Sequence, residues 1–80
     1  PLNITVTLFS ALRDGFPDYD PETGLTLVLP EEASVADLVR HLGIPPEMAP
    51  VVACDGRILP KDGILTDGGV FHLFQPVAGG

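Results

Sequence analysis

Residues 34–43 read Ser34-Val35-Ala36-Asp37-Leu38-Val39-Arg40-His41-Leu42-Gly43, and the architecture of the chain turns on them. Val35, Leu38, Val39 and Leu42 recur at i, i+3, i+4 and i+7, the spacing that gathers apolar side chains into one stripe of an α-helix. The Ser34 hydroxyl can accept from a first-turn N–H, and the Asp37 carboxylate can answer to the Ser34 backbone, which is a capping box. Gly43 supplies the left-handed stop, and Pro45-Pro46 oppose any continuation. Elsewhere Ala11-Leu12-Arg13 predicts only a brief helical turn.

The segments on either side alternate with a period of two. Upstream, Ile4, Val6 and Leu8 alternate with Thr5, Thr7 and Phe9, and Leu25, Leu27 and Leu29 alternate with Thr26 and Val28. Both read as strands with one buried face. Between them, Asp14 to Gly24 is loop chemistry throughout. Downstream, Val51 to Cys54 and Arg57 to Leu59 read as a hairpin around Asp55-Gly56, a pair that tolerates positive φ at both positions. Val70 to Gln75 is the last strand, and Pro76 cannot donate to a ladder. The order is ββαβββ, with one helix available to cover one sheet. The expected fold class is α+β, a ubiquitin-like β-grasp: a mixed sheet of about five strands covered on one face by one main helix. The last strand is expected beside the first, parallel to it, in the centre. Residues 1–75 are expected to form the domain and residues 76–80 a flexible C-terminal tail.

Composition bounds the partners. Four Lys/Arg stand against eleven Asp/Glu, a net charge of −7. Phosphate backbones and anionic membrane surfaces both need cations to neutralise them, so neither nucleic acid nor membrane is an expected partner. An acidic chain suits a partner with a basic face. Eighty residues with 45% hydrophobic composition allow one small core and no second domain. The single cysteine, Cys54, excludes a disulfide within the chain and suits a reducing compartment. Pro1-Leu2-Asn3-Ile4-Thr5 lacks the basic-then-apolar form of a signal peptide. A cytoplasmic location is therefore expected.

The chemistry-bearing element is Pro76-Val77-Ala78-Gly79-Gly80. No residue after Val77 is larger than alanine, so this segment can thread a channel that a bulkier side chain would block. Six residues from Gln75 to Gly80 reach about 20 Å when extended. The α-carboxyl is ionised at neutral pH and can attack a phosphoryl centre.

On these residues the chain resembles the MoaD/ThiS family of ubiquitin-like sulfur carriers. Leu8-Phe9-Ser10-Ala11-Leu12-Arg13 is similar to the family's first strand and turn, and Ser34-Val35-Ala36-Asp37-Leu38 to its helix start. Leu65-Thr66-Asp67-Gly68-Gly69, followed by Phe74-Gln75-Pro76-Val77-Ala78-Gly79-Gly80, is the most specific part. Within the family the chain is most similar to the small subunit of molybdopterin synthase. It departs from that branch at Gln75, where a second proline is usual, and at Asp55-Gly56, where an Asn-containing turn is common.

The resemblance implies that the chain is a carrier and not an enzyme. An E1-like adenylating enzyme, using ATP and magnesium, would activate the Gly80 carboxylate. A sulfur donor such as a cysteine desulfurase or a rhodanese would convert it to a thiocarboxylate. The large subunit of molybdopterin synthase would receive the tail, with Gly79 and Gly80 as the reacting end. No cofactor is expected on the chain itself. Arg13, Ile58 and Phe74 fall at positions that family members present to partners, with Pro76, Val77 and Ala78 leading into the channel. Strand alternation adds an expectation of its own: if Phe71 and Leu73 face the helix, Phe74 is exposed beside the tail. Two other readings remain open, a non-covalent ubiquitin-like binding module and a carrier serving thiamin thiazole or amino-acid synthesis.

The remaining polar residues support structural readings. Cys54 ends an apolar run and reads as a small buried hydrophobe. His41 and His72 are far apart, with no Cys pair, so no metal site is expected. Asp18, Asp20 and Glu22 lack the spaced loop of a calcium site and read as a solvated acidic loop.

Overall fold

The computed structural model describes residues 1–76. Strand β1 (Leu2–Leu8) leads into a 3-10 turn, Ser10–Gly15, and β2 (Leu25–Leu29) precedes helix α1 (Val35–Leu42). A second 3-10 turn, Pro46–Met48, comes before β3 (Val51–Cys54), β4 (Arg57–Ile58) and β5 (Val70–Phe74). The five strands form one sheet in the order β2-β1-β5-β3-β4. β1 and β5 run parallel in the centre, with Val6 opposite Phe71 and Leu8 opposite Leu73. The other pairings are antiparallel. This is the expected β-grasp, with the last strand beside the first.

The local signals are realised in detail. Ser34 Oγ accepts from Asp37 N–H at 3.2 Å, and Ser34 N–H donates to Asp37 Oδ2 at 2.9 Å, closing the capping box. Gly43 ends α1 at φ 72°, a conformation a β-carbon disfavours. Asp55 and Gly56 take φ of 52° and 77°, as a tight hairpin between β3 and β4 requires. The return strand is shorter than its sequence suggests, although Leu59 N–H still reaches Val52 O at 2.8 Å. Pro46 does more than stop α1. Its fixed φ suits the start of a helical turn, and it opens the Pro46–Met48 turn.

The core lies between α1 and the inner sheet face. Ile4, Val6 and Leu8 from β1, Phe71 and Leu73 from β5, Val52 from β3, and Val35 and Leu38 from α1 are all buried. Val39 and Leu42, on the edge of the helical stripe, are only partly buried against this cluster. Gly24 sits against β1 at φ 70°, where a β-carbon would lie 2.7 Å from Val6 O, so β2 can begin that close only with glycine.

The Ser34 N–H and hydroxyl, and more weakly the Arg40 guanidinium, hold the Asp37 carboxyl below its ordinary value of 3.8. A depressed carboxyl stabilises the fold above its unfolded pKa and loses that contribution as pH falls through the folded value. An Asp37→Asn chain should therefore be less stable than the parent at neutral pH. The two melting curves should converge as pH drops below 3.8, and a constant gap would refute the assignment. Ser34→Ala, which removes the other half of the box, should cost about 1 kcal/mol, or about 4–8 °C in Tm.

Candidate functional site

The strand register fixes what lies on the sheet face opposite α1. With Phe71 and Leu73 directed inward, β5 turns Val70, His72 and Phe74 outward. Val51 of β3 lies opposite Phe74, and Ala53 lies opposite both His72 of β5 and Ile58 of β4. Phe74, Val51, His72, Ala53 and Ile58 therefore share the outer face of three adjacent strands. Phe9, just past β1, extends this surface, its ring centroid 6.2 Å from that of His72. Ile58 is 68% exposed and Phe9 42%. Phe74 lies on the expected face but is half-buried rather than fully exposed. Its neighbour across the ladder, Val51, is half-buried beside it.

Arg13 is exposed, yet it is not a free loop charge. Its Nε donates to Leu8 O at 2.9 Å, and its guanidinium carbon stands 5.6 Å from the centroid of the Tyr19 ring. Tyr19 Oη in turn accepts from Leu8 N–H at 2.8 Å. Leu8 lies opposite Leu73, and Phe9 N–H donates to Leu73 O at 3.0 Å. The cation is thus fixed at the finish of the two central strands, next to the place where β5 gives way to Gln75 and an exposed Pro76.

The structure brings Phe74 and Ile58 onto one face and sets Arg13 at the end of β1 and β5. Val77, Ala78, Gly79 and Gly80 lie outside the described residues. Sequence reasoning did not find Tyr19, Phe9 or Val51 as parts of this surface. Tyr19 was legible only as the one tyrosine in a polar loop, and Val51 joins only through the β3–β5 register. His72 faces outward, half-buried, and shares a hydrogen bond with Thr7 Oγ1 through its Nδ1.

The protein-family comparison bears directly on this arrangement. The model of the ThiS family matches residues 6–80, nearly the whole chain and through Gly79-Gly80. The chain belongs to the ThiS family. No curated protein matches it. Among solved structures it is similar to a Pyrococcus furiosus protein assigned as molybdopterin converting factor, subunit 1. That likeness has a TM-score of 0.74 and 25% identity, covering 96% of this chain and 100% of the other. Small archaeal modifier protein 1 of H. volcanii matches with a TM-score of 0.74 and 18% identity, over 96% of this chain and 100% of that one. Caldiarchaeum subterraneum ubiquitin matches at 0.60 and 18%, over 99% and 98%. These last two bear on the fold alone, and they agree on a ubiquitin-like β-grasp.

ThiS-family chains are small carrier proteins. Burial pushes the Cys54 thiol up, and the neighbouring Asp55 carboxylate adds to the effect. A thiol kept protonated is a poor nucleophile. Among the described residues, no group of three or more His, Cys, Asp and Glu could hold a metal ion. Asp20 Oδ1 is occupied by Glu22 N–H at 2.8 Å, as an ordinary turn contact. Among the described residues, no helix is long and apolar enough to cross a membrane.

Proposed function

We propose that this ThiS-family chain carries sulfur on the Gly80 carboxylate for molybdopterin synthesis. The observation that carries the reading is the family match running through Gly79-Gly80. The likeness at 25% identity to a protein assigned as a molybdopterin converting factor subunit favours the molybdopterin branch.

The chemistry follows from what a carboxylate lacks. Its carbonyl carbon is a poor acceptor because neither oxygen can leave. An E1-like enzyme supplies ATP and magnesium; the Gly80 oxygen attacks the α-phosphorus and pyrophosphate departs. Sulfur from the persulfide of a cysteine desulfurase or rhodanese then attacks the carbonyl carbon. AMP leaves with the original oxygen, and thiol cleavage of the remaining S–S bond frees the thiocarboxylate. The large synthase subunit then takes the tail, and sulfur passes to the pterin precursor. Partners provide the catalytic groups, while this chain provides the reacting atom and binding energy remote from it.

The magnitudes explain why a docking face is needed. Ordering the five residues after Gln75 costs roughly 1–2 kcal/mol each, or about 5–10 in all. Burying one large apolar side chain returns about 1.5–3 kcal/mol. Phe74 alone cannot offset the cost, and because Phe74, Ile58 and Phe9 are already partly buried, the three together return only part of it, so a wider area of the outer face must contribute. Phe74→Ala should weaken binding to the adenylating enzyme or the large subunit about tenfold. Because Phe74 is only half-buried, Tm should fall by no more than a few degrees. A large fall in Tm, with the affinity of the still-folded chain for its partners unchanged, would reverse the assignment.

The branch is tested by mixing the sulfur-loaded chain with the large subunit of molybdopterin synthase and the cyclic pterin precursor. Dithiolene pterin should form in proportion to the chain supplied. Loss of thiocarboxylate sulfur to a thiazole or amino-acid acceptor, with none reaching the pterin, would move the chain to another branch.

A further inference from the structure

A second surface lies on the helix side of the molecule, across the sheet from Phe74 and Ile58. Val35, Val39 and Gly43 follow one another at four-residue steps along one side of α1 and form one wall of a groove of about 490 Å³. Ile44, Pro45, Pro46 and Pro50 form the other wall. The walls are tied to the helix through the backbone. Val35 N–H donates to Gly63 O at 2.9 Å, Ala36 N–H to Lys61 O at 3.0 Å, and Ile44 N–H to Val39 O at 3.3 Å. Three prolines in one wall add rigidity, so the groove needs little ordering before it is filled.

Its charge is opposite to that of the chain. The charged residues lining it are Arg40 and Lys61, two of only four Lys/Arg in a molecule of net charge −7. Asp37 contacts Arg40 through one guanidinium nitrogen and leaves the others free of that contact. Glu47 and Asp62 adjoin the walls in sequence but do not line the groove. Lys61 is anchored to Ala36, and Arg40 lies one helical turn further on, a rise of about 6 Å. Alternate side chains of an extended peptide are about 6.6 Å apart on one side, with their neighbours turned to the other.

We propose that this groove takes an extended segment of a partner protein in which apolar and acidic residues alternate. The apolar side chains lie on Val39, Pro45, Pro46 and Pro50, the accessible apolar residues of the groove, and two carboxylates at i and i+2 meet Lys61 and Arg40. Away from Arg13 and Arg57, the acidic remainder of the chain repels such a segment, which favours this groove. Because the groove and the outer sheet face are on opposite sides of the molecule, both can be occupied together. The proposal is independent of the sulfur chemistry.

The test is a titration of the full chain with acetyl-Val-Asp-Val-Asp-Val-amide, followed in amide nitrogen–proton correlation spectra. Saturable shifts are expected at Val35, Ala36, Val39, Gly43 and Ile44, and none with the matching peptide in which Lys replaces Asp. Lys61→Glu, at an exposed position, should leave the spectrum folded and weaken binding about fivefold. The proposal is overturned by an absence of saturable shifts at those amides, by an equal response to the lysine peptide, by indifference to Lys61→Glu, or by shifts confined to the outer sheet face.

Discussion

Phe71→Ala should remove a large share of the stability of the fold and melt far below the parent. Phe71 is 1% exposed and sits in the central strand opposite Val6. A β-carbon on Gly69 would lie 2.7 Å from its ring, so the ring is closely held on that side too. Truncating a buried phenylalanine costs about 3–5 kcal/mol, part transfer and part cavity. An 80-residue domain has about 4–12 kcal/mol in total. Tm should therefore drop by about 12 °C or more. A decrease of under about 1 kcal/mol in denaturant unfolding would mean that the core does not centre on the β1–β5 pair. Phe74→Ala, three residues along the same strand, is the internal comparison: one phenylalanine supports the fold and the other the surface.

The second large effect falls on function and leaves stability untouched. Gly79→Trp should abolish sulfur loading while the melting curve superimposes on that of the parent. A channel that admits a bare backbone excludes an indole, and even a displacement of about 1 Å of the reacting carbonyl costs about a hundredfold in rate. Adding one residue after Gly80 should have the same effect by a different route, because the carboxylate is then carried by the wrong atom. Pyrophosphate exchange with the adenylating enzyme reads both. Exchange at the parental rate in either variant would mean that the terminus is not the site of activation.

Much of this fold is legible in the sequence because its signals are local. Ser34 and Asp37 are three residues apart, Gly43 follows the last apolar position of the stripe, and Asp55-Gly56 occupies its own turn. Alternation in Val70 to Phe74 divides β5 into two faces, and the burial of Phe71 and Leu73 beside Val6 and Leu8 decides which one is inward. The candidate site is less legible because its parts meet through register. Tyr19 belongs to the surface only because its hydroxyl reaches Leu8 N–H, and Arg13 is fixed only because Leu8 O is available to it. Val51 and Phe9 flank the outer β5 residues through pairings that no short window contains. The half-burial of Phe74 has the same origin. Along the helix side, Arg40 and Lys61 are 21 positions apart, and backbone bonds such as Ala36–Lys61 and Val35–Gly63 make them neighbours.

A single determination addresses the central proposal most directly: the intact mass of the chain purified from its own cells, without reducing or alkylating treatment. A fraction should be heavier by the difference between one sulfur and one oxygen, with fragmentation placing the increment on Gly80. Alkylation should add one group there in addition to any on Cys54. A population carrying oxygen alone at Gly80, from cells actively making molybdopterin and in the presence of a competent adenylating enzyme, would contradict the account.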